Sequence, residues 1–194
     1  MGCYPQTPTY IDEYDLLVTN YSPTYDFQSR STYAIPDSVV RIDVNSDPQD
    51  PEFIGAQYGD RIINAIKRNM SVYGWTLVDE TEDPDMIILP SAGSTLNLQY
   101  SWGYWGWYYP GYYPGWGWGY PGYPGYGTTV SSYRTGSVLF QMTAPKDIGP
   151  DENMPVVWLG AFNGLLEGST NSVLGRIDSQ IDQAFRQSPY LQQL

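Results

Sequence analysis

The chain has 194 residues, a formal net charge of −12, no histidine, one cysteine, and 16% aromatic against 15% charged residues. That length fits one domain with an appended segment. Nine Lys+Arg scattered among twenty-one Asp+Glu repel phosphate backbones at long range, which argues against a nucleic-acid partner. Without histidine, Ser/His/Asp triads, Cys/His dyads and histidine-ligated zinc are excluded, and one cysteine makes no internal disulfide.

Met1 and Gly2 leave no room for the apolar region of a signal peptide before Cys3, and no run of about eighteen apolar residues is available to span a bilayer. Gly2-Cys3 nevertheless has the small-residue-then-cysteine ending of a bacterial lipoprotein cleavage site, whose thiol would carry a diacylglycerol. A surface thiol without consequence is the alternative. Gln6 breaks the myristoylation pattern, which wants Ser or Thr there. Tyr4 to Tyr14, polar and interrupted by Pro5 and Pro8, reads as a tether.

Asp15 to Thr19, Asp26-Phe27 and Thr32 to Ile35 read as one or two strands, and Ser38 to Val44, β-branched and partly alternating, as a further one running into the turn Asp47 to Pro51. The first strong helix follows, because Ile62, Ile66, Met70 and Tyr73 share a face with Ile63 and are opposed by Asp60, Asn64, Lys67 and Arg68. Gly74 supplies its C-terminal stop. Trp75 to Val78 reads as a strand, Asp79 to Pro84 as an acidic turn, and Asp85 to Pro90 as a buried strand bounded by proline; Thr95 to Tyr100 then alternates.

Between Tyr100 and Tyr126 the chain holds nine Tyr, five Trp, eight Gly, four Pro and one Ser, and no charge occurs from Met86 through Tyr133. Such a tract has no helical period, its prolines veto a central strand, and it lacks the aliphatics of a packed core. Residues 100–127 therefore read as a low-complexity insertion. After it, Ser137 to Met142 and Val156 to Phe162 form an antiparallel pair across a long acidic loop. A last helix carries Val173, Leu174, Ile177, Ile181, Ala184 and Phe185 on one face and Arg176, Asp178, Asp182 and Arg186 on the other; it starts near Thr170 and stops at Pro189. Ser188-Pro189-Tyr190 reads as a helix stop and a fraying tail, residues 190–194. The expected fold is α+β: a single domain with a mostly antiparallel or mixed sheet packed on two helices.

Several of these segments, in this order, resemble the domain-of-unknown-function 4136 family: Asp26-Phe27 with Thr32-Tyr33-Ala34, the helix closing at Tyr73-Gly74-Trp75, the strand opened by Asp85, Gly136-Ser137-Val138-Leu139, Val157-Trp158-Leu159-Gly160, and Phe185 to Pro189. The resemblance covers roughly Asp15 to Pro189. It implies an α+β sandwich, a lipid anchor at Cys3 and a Gram-negative envelope location, and it supplies no catalytic residues. Members look similar in carrying a Gly/Tyr/Trp-rich insertion at this place. One departure is Leu159, where members commonly have a basic residue. Tyr4 to Thr7 lacks the acidic residues associated with surface display, so the periplasmic face of the outer membrane is expected.

Among candidate sites, Asp43-x-Asn45-x-Asp47 copies the first half of a calcium loop, but Pro48 replaces the turn glycine and Ile54 stands where the bidentate glutamate belongs. A polar turn is the favoured reading. Asp79, Glu80, Glu82, Asp83 and Asp85 form the densest acidic cluster and read as a solvated turn. Trp158 reads as core. The strongest functional signal is the set of fourteen rings at Tyr100, Trp102, Tyr104, Trp105, Trp107, Tyr108, Tyr109, Tyr112, Tyr113, Trp116, Trp118, Tyr120, Tyr123 and Tyr126. Exposed rings of this kind stack on sugars, settle in the headgroup zone of a bilayer, or hold protein partners and further copies of themselves.

The expectation is thus a lipid-anchored, non-enzymatic envelope module that needs no cofactor or metal and contacts an envelope protein, a glycan or the membrane through this loop. The alternative is an enzyme using Asp79, Glu80, Asp83 and Asp85 on an envelope polymer.

Overall fold

The computed structural model describes residues 17–42, 50–93, 136–148 and 155–193. Strand β1 spans Leu17–Tyr21, β2 Thr32–Ala34, β3 Val40–Ile42 and β4 Glu52–Phe53; helix α1 spans Ala56–Val72 and β5 Thr76–Leu77. Strands β6 (Met86–Gly93), β7 (Ser137–Thr143) and β8 (Val156–Phe162) follow, then helix α2 (Thr170–Arg186). The sheet runs β1-β8-β7-β6-β2-β5, with β3 also paired to β6 and β4 to β3. In the row β1, β8, β7, β6 each strand is antiparallel to the next, whereas β2 and β3 run parallel to β6. The architecture is the expected one: a single α+β domain with two helices on a mixed, mostly antiparallel open sheet.

Both helices form where the apolar period demands. Ile62, Ile66 and Met70 of α1 and Val173, Ile177 and Ile181 of α2 enter one core with Met86, Ile88 and Ala92 of β6 and with Val138, Phe140 and Met142 of β7. α1 ends in a Schellman turn: Gly74 adopts φ 87°, its N–H bonds the Ser71 carbonyl at 3.1 Å, and the Trp75 N–H bonds the Met70 carbonyl at 3.0 Å. The polar faces meet across the helix pair, where Arg68 reaches Asp182 at 2.7 Å, Asn69 donates to the same carboxylate at 2.7 Å, and Arg61 pairs with Asp178.

Four local readings need correction. Asp26-Phe27 is no strand: Phe27–Ser29 makes a 3-10 turn capped by the Asp26 carboxylate, which accepts from the Gln28 N–H. β4 lies just past the Asp47 to Pro51 turn, where no strand was expected, because its two residues add to an edge whose pairing no local pattern encodes. β6 continues through Pro90 to Gly93. Its pairing to β2 ends at Ile87 and that to β3 begins at Ser91, so the proline falls where that edge changes partners and a missing N–H is tolerated.

The C-terminus, finally, does not fray. Pro189–Leu191 form a 3-10 turn with Leu191 buried, the Trp75 Nε1–H donates to the Leu191 carbonyl at 2.7 Å, and the Gln193 N–H to the Tyr73 carbonyl at 2.8 Å. Tyr190 stacks on Tyr21 of β1 at 3.8 Å between centroids.

Candidate functional site

The aromatic residues singled out above, Tyr100 through Tyr126, lie outside the described residues, as do Cys3, the tether and Asp43 to Asp47. The structure does describe the frame from which the aromatic segment departs. β6 pairs with β7 from Ile87 to Gly93, Gly93 standing opposite Ser137. The Gly136 N–H closes the base by donating to the Gly93 carbonyl at 3.1 Å. Gly136 holds φ 80°, and a Cβ there would meet the Leu166 carbonyl carbon at 3.3 Å, so glycine is required twice over. Its carbonyl accepts from the Leu166 N–H at 2.9 Å. The buried Ser137 hydroxyl donates to the Asn163 side-chain oxygen at 3.2 Å and accepts from the Gly164 N–H at 3.1 Å. A segment of residues 94–135 is therefore mounted on a fixed base at the centre of the sheet.

The acidic turn is dispersed by its hydrogen bonds. Asp79 accepts from the Thr81 N–H at 3.0 Å and hydroxyl at 2.6 Å, which hold its carboxyl below its usual value. Glu82 accepts from the Asp79 N–H at 2.8 Å. Asp83 takes a left-handed φ of 53° and pairs with Lys146 at 3.3 Å. Asp85 is a hub: one oxygen accepts from the Ser31 N–H (2.9 Å), the Thr32 N–H (3.0 Å) and the Thr32 hydroxyl (2.9 Å), and the other from Lys146 Nζ (2.9 Å).

Partial burial pushes the Asp85 carboxyl upward, but the Ser31 N–H, the Lys146 ammonium and both Thr32 donors outweigh it and hold the group well below the usual carboxylate range. Such a group suits a fixed anion that ties β2 and β6 to the Pro145–Asp147 turn better than an acid that gives up a proton near neutrality. Beside it, Arg30 pairs with Asp147 at 2.6 Å. Among the described residues no group of three or more Cys, Asp or Glu side chains is placed to hold a metal ion.

Trp158, read as core, is 1% exposed and donates from Nε1 to the Ser188 hydroxyl at 2.9 Å. Leu159, where a basic residue was expected from the family, is buried on the sheet face away from the helices. No described helix is long and apolar enough to cross a membrane.

These features define a small α+β domain whose sheet centre is interrupted by a long insertion between two paired antiparallel strands. The model of DUF4136, a domain of unknown function, matches residues 17–190, and the chain belongs to that family. A crystal structure of a DUF4136 family protein from Bacteroides thetaiotaomicron is 30% identical, with 91% of this chain and 96% of that chain covered and a TM-score of 0.67. A PelC dodecamer from Paraburkholderia phytofirmans is a remoter likeness, 12% identical over 92% of this chain and 99% of that one, with a TM-score of 0.40. Among curated proteins nothing matches.

Proposed function

We propose that this protein is a non-enzymatic module of the Gram-negative envelope, held by a lipid on Cys3 at the periplasmic face of the outer membrane, which uses its aromatic segment to contact an envelope protein, a glycan or the bilayer interface. The observation that carries the reading is the pairing of a chargeless segment with fourteen Tyr and Trp rings to a base pinned at Gly93 and Gly136. Rings with wet OH and N–H tips suit surfaces that are part apolar and part polar. A base fixed by backbone hydrogen bonds limits the freedom such a segment loses on binding.

Two measurements test it. Expressed with a lipoprotein leader, the protein is expected to gain a diacylglycerol-sized mass and to fractionate with membranes, and Cys3→Ser is expected to lose both. An unmodified thiol on a wholly water-soluble protein would remove the anchor.

Replacing Trp102, Trp105, Trp107, Trp116 and Trp118 by Ser tests the contact, read by co-sedimentation with purified sacculi and with outer-membrane lipid vesicles. At about 1 kcal/mol per stacked ring, losing two or more contacts weakens binding at least tenfold, since about 1.4 kcal/mol is a factor of ten. Unchanged sedimentation with both would remove the glycan and the bilayer interface as contacts of the segment.

A further inference from the structure

Residues 188–193 lie along a groove at the end of the sheet remote from Gly93 and Gly136, where Tyr21 of β1 stands opposite Trp158 and Trp158 opposite Met142. Tyr21, Phe27, Gln28, Tyr73, Trp75 and Trp158 line it, and between them they read both the side chains and the backbone of the segment. The Trp158 Nε1–H donates to the Ser188 hydroxyl at 2.9 Å, the Tyr190 ring stacks on Tyr21 at 3.8 Å and meets Phe27 at 5.6 Å between centroids, and Leu191 is fully buried. Three main-chain groups are held as well. The Trp75 Nε1–H donates to the Leu191 carbonyl at 2.7 Å, Gln28 Nε2 donates to the Gln192 carbonyl at 2.8 Å, and the Gln193 N–H donates to the Tyr73 carbonyl at 2.8 Å. Main-chain hydrogen bonds that give affinity, with side-chain pockets that give specificity, are the means by which a protein holds a peptide.

The segment is also a unit of its own. α2 closes before it begins, with the Gln187 N–H on the Gln183 carbonyl at 3.0 Å. The segment closes on itself, the Leu191 N–H bonding the Ser188 carbonyl at 3.0 Å and the Gln192 N–H the Pro189 carbonyl at 3.1 Å. Its covalent link back to the domain passes through Gln187, which is exposed, and every residue of the groove lies far upstream in the chain. None of the contacts therefore requires the segment and the groove to belong to one molecule.

We infer that this groove is a peptide site, filled within one molecule by the chain's own C-terminal segment and able to take the same segment from a second copy. A segment joined to its own groove is present there at an effective concentration of about millimolar, so the self-filled state prevails in dilute solution and exchange grows as copies are crowded together. The inference goes beyond the proposed function. The groove shares no residue with the aromatic segment or with Cys3, and its test uses neither membranes nor glycans, so the two readings fail separately.

Leu191→Ser in the full-length chain weakens the seat from the segment's side and leaves the groove's own residues in place. A fluorescent peptide of residues 188–193, followed by anisotropy, is expected to bind this variant at least about tenfold more tightly than it binds the parent, because apparent affinity scales with the fraction of grooves that stand open. The same peptide carrying Leu191→Ser is expected to bind neither chain. Equal binding of the unaltered peptide to both chains, or none to a folded Leu191→Ser chain, overturns the inference.

A benzophenone side chain in place of Gln192, whose side chain is exposed, decides the matter where Leu191→Ser does not fold. Isotope-labelled and unlabelled full-length chains carrying it are mixed, warmed together and irradiated, and the cross-links are mapped by mass. Links from one copy into residues 21–29 or 73–75 of the other, rising in share with protein concentration, support the exchange. Links that stay within one molecule at every concentration, or that reach the second copy elsewhere, overturn it.

Discussion

Gly160→Ala is expected to destabilise the domain by about 2 kcal/mol, the net of an overpacking cost of up to about 3 kcal/mol and the fraction of a kcal/mol to about 1 kcal/mol that a Gly→Ala change returns through the unfolded chain. A Cβ at Gly160 would lie 2.6 Å from Trp158 Cη2, 3.0 Å from Cζ3 and 3.3 Å from Phe162 Cε2. The indole cannot yield cheaply: it is fully buried, and moving it breaks its hydrogen bond to Ser188. That serine also accepts from the Tyr190 hydroxyl at 3.1 Å, so the strain passes to the C-terminal turn that closes the core.

At about 2–4 °C per kcal/mol for a domain of this size, a fall in Tm of about 4–8 °C is expected by calorimetry. Gly175→Ala, in α2 with nothing within 4 Å of the new methyl, is the control; helix propensity predicts a gain of about 0.5–1 kcal/mol. A Gly160→Ala protein as stable as the parent would show that β8 and Trp158 relax together without loss.

The same contrast separates what the sequence discloses from what it hides. α1 and α2 are legible because Ile62, Ile66 and Met70, and Val173, Ile177 and Ile181, repeat a spacing that only a helix turns to one side. β7 and β8 are legible as near-continuous apolar runs between turn residues.

What stays hidden is whatever depends on a partner far away in the chain. Pro90 looks like a strand end until its neighbours on that edge are known to change from β2 to β3. Tyr190 and Leu191 look like a loose tail until Trp75 and Tyr21, far upstream in the chain, are found against them. The candidate site divides likewise. Five acids in seven positions read as one cluster, but Lys146 and Thr32 draw Asp83 and Asp85 into a network of their own while Asp79 and Glu82 close a turn. The aromatic segment announces itself by composition alone, whereas the buried sheet face away from the helices needs the register of three strands to be seen.

Asp85→Asn is expected to cost about 2–3 kcal/mol at pH 7, because hydrogen bonds to a charged group are each worth about 1.5–3 kcal/mol and a neutral amide keeps only part of that. One Asp85 oxygen gathers the Ser31 and Thr32 N–H groups and the Thr32 hydroxyl, and that hydroxyl in turn accepts from the Asp85 N–H at 3.0 Å. If the amide oxygen keeps these bonds, its NH2 group faces the Lys146 ammonium, donor against donor, where a carboxylate oxygen now accepts at 2.9 Å. The lysine is left with Asp83 alone, an exposed partner of little worth.

The pH dependence has a definite sign. The folded protein holds the Asp85 carboxyl well below its usual range, so its contribution is complete above the unfolded value of about 3.9 and is lost as the pH falls below it towards the folded value. The stability gap between parent and Asp85→Asn, measured by urea unfolding, should therefore be constant between about pH 5 and 8 and narrow steadily below about pH 4. A gap that ignored pH would assign the loss to shape rather than charge. No gap at all would mean that the Pro145–Asp147 turn and the β2–β6 junction hold without their shared anion.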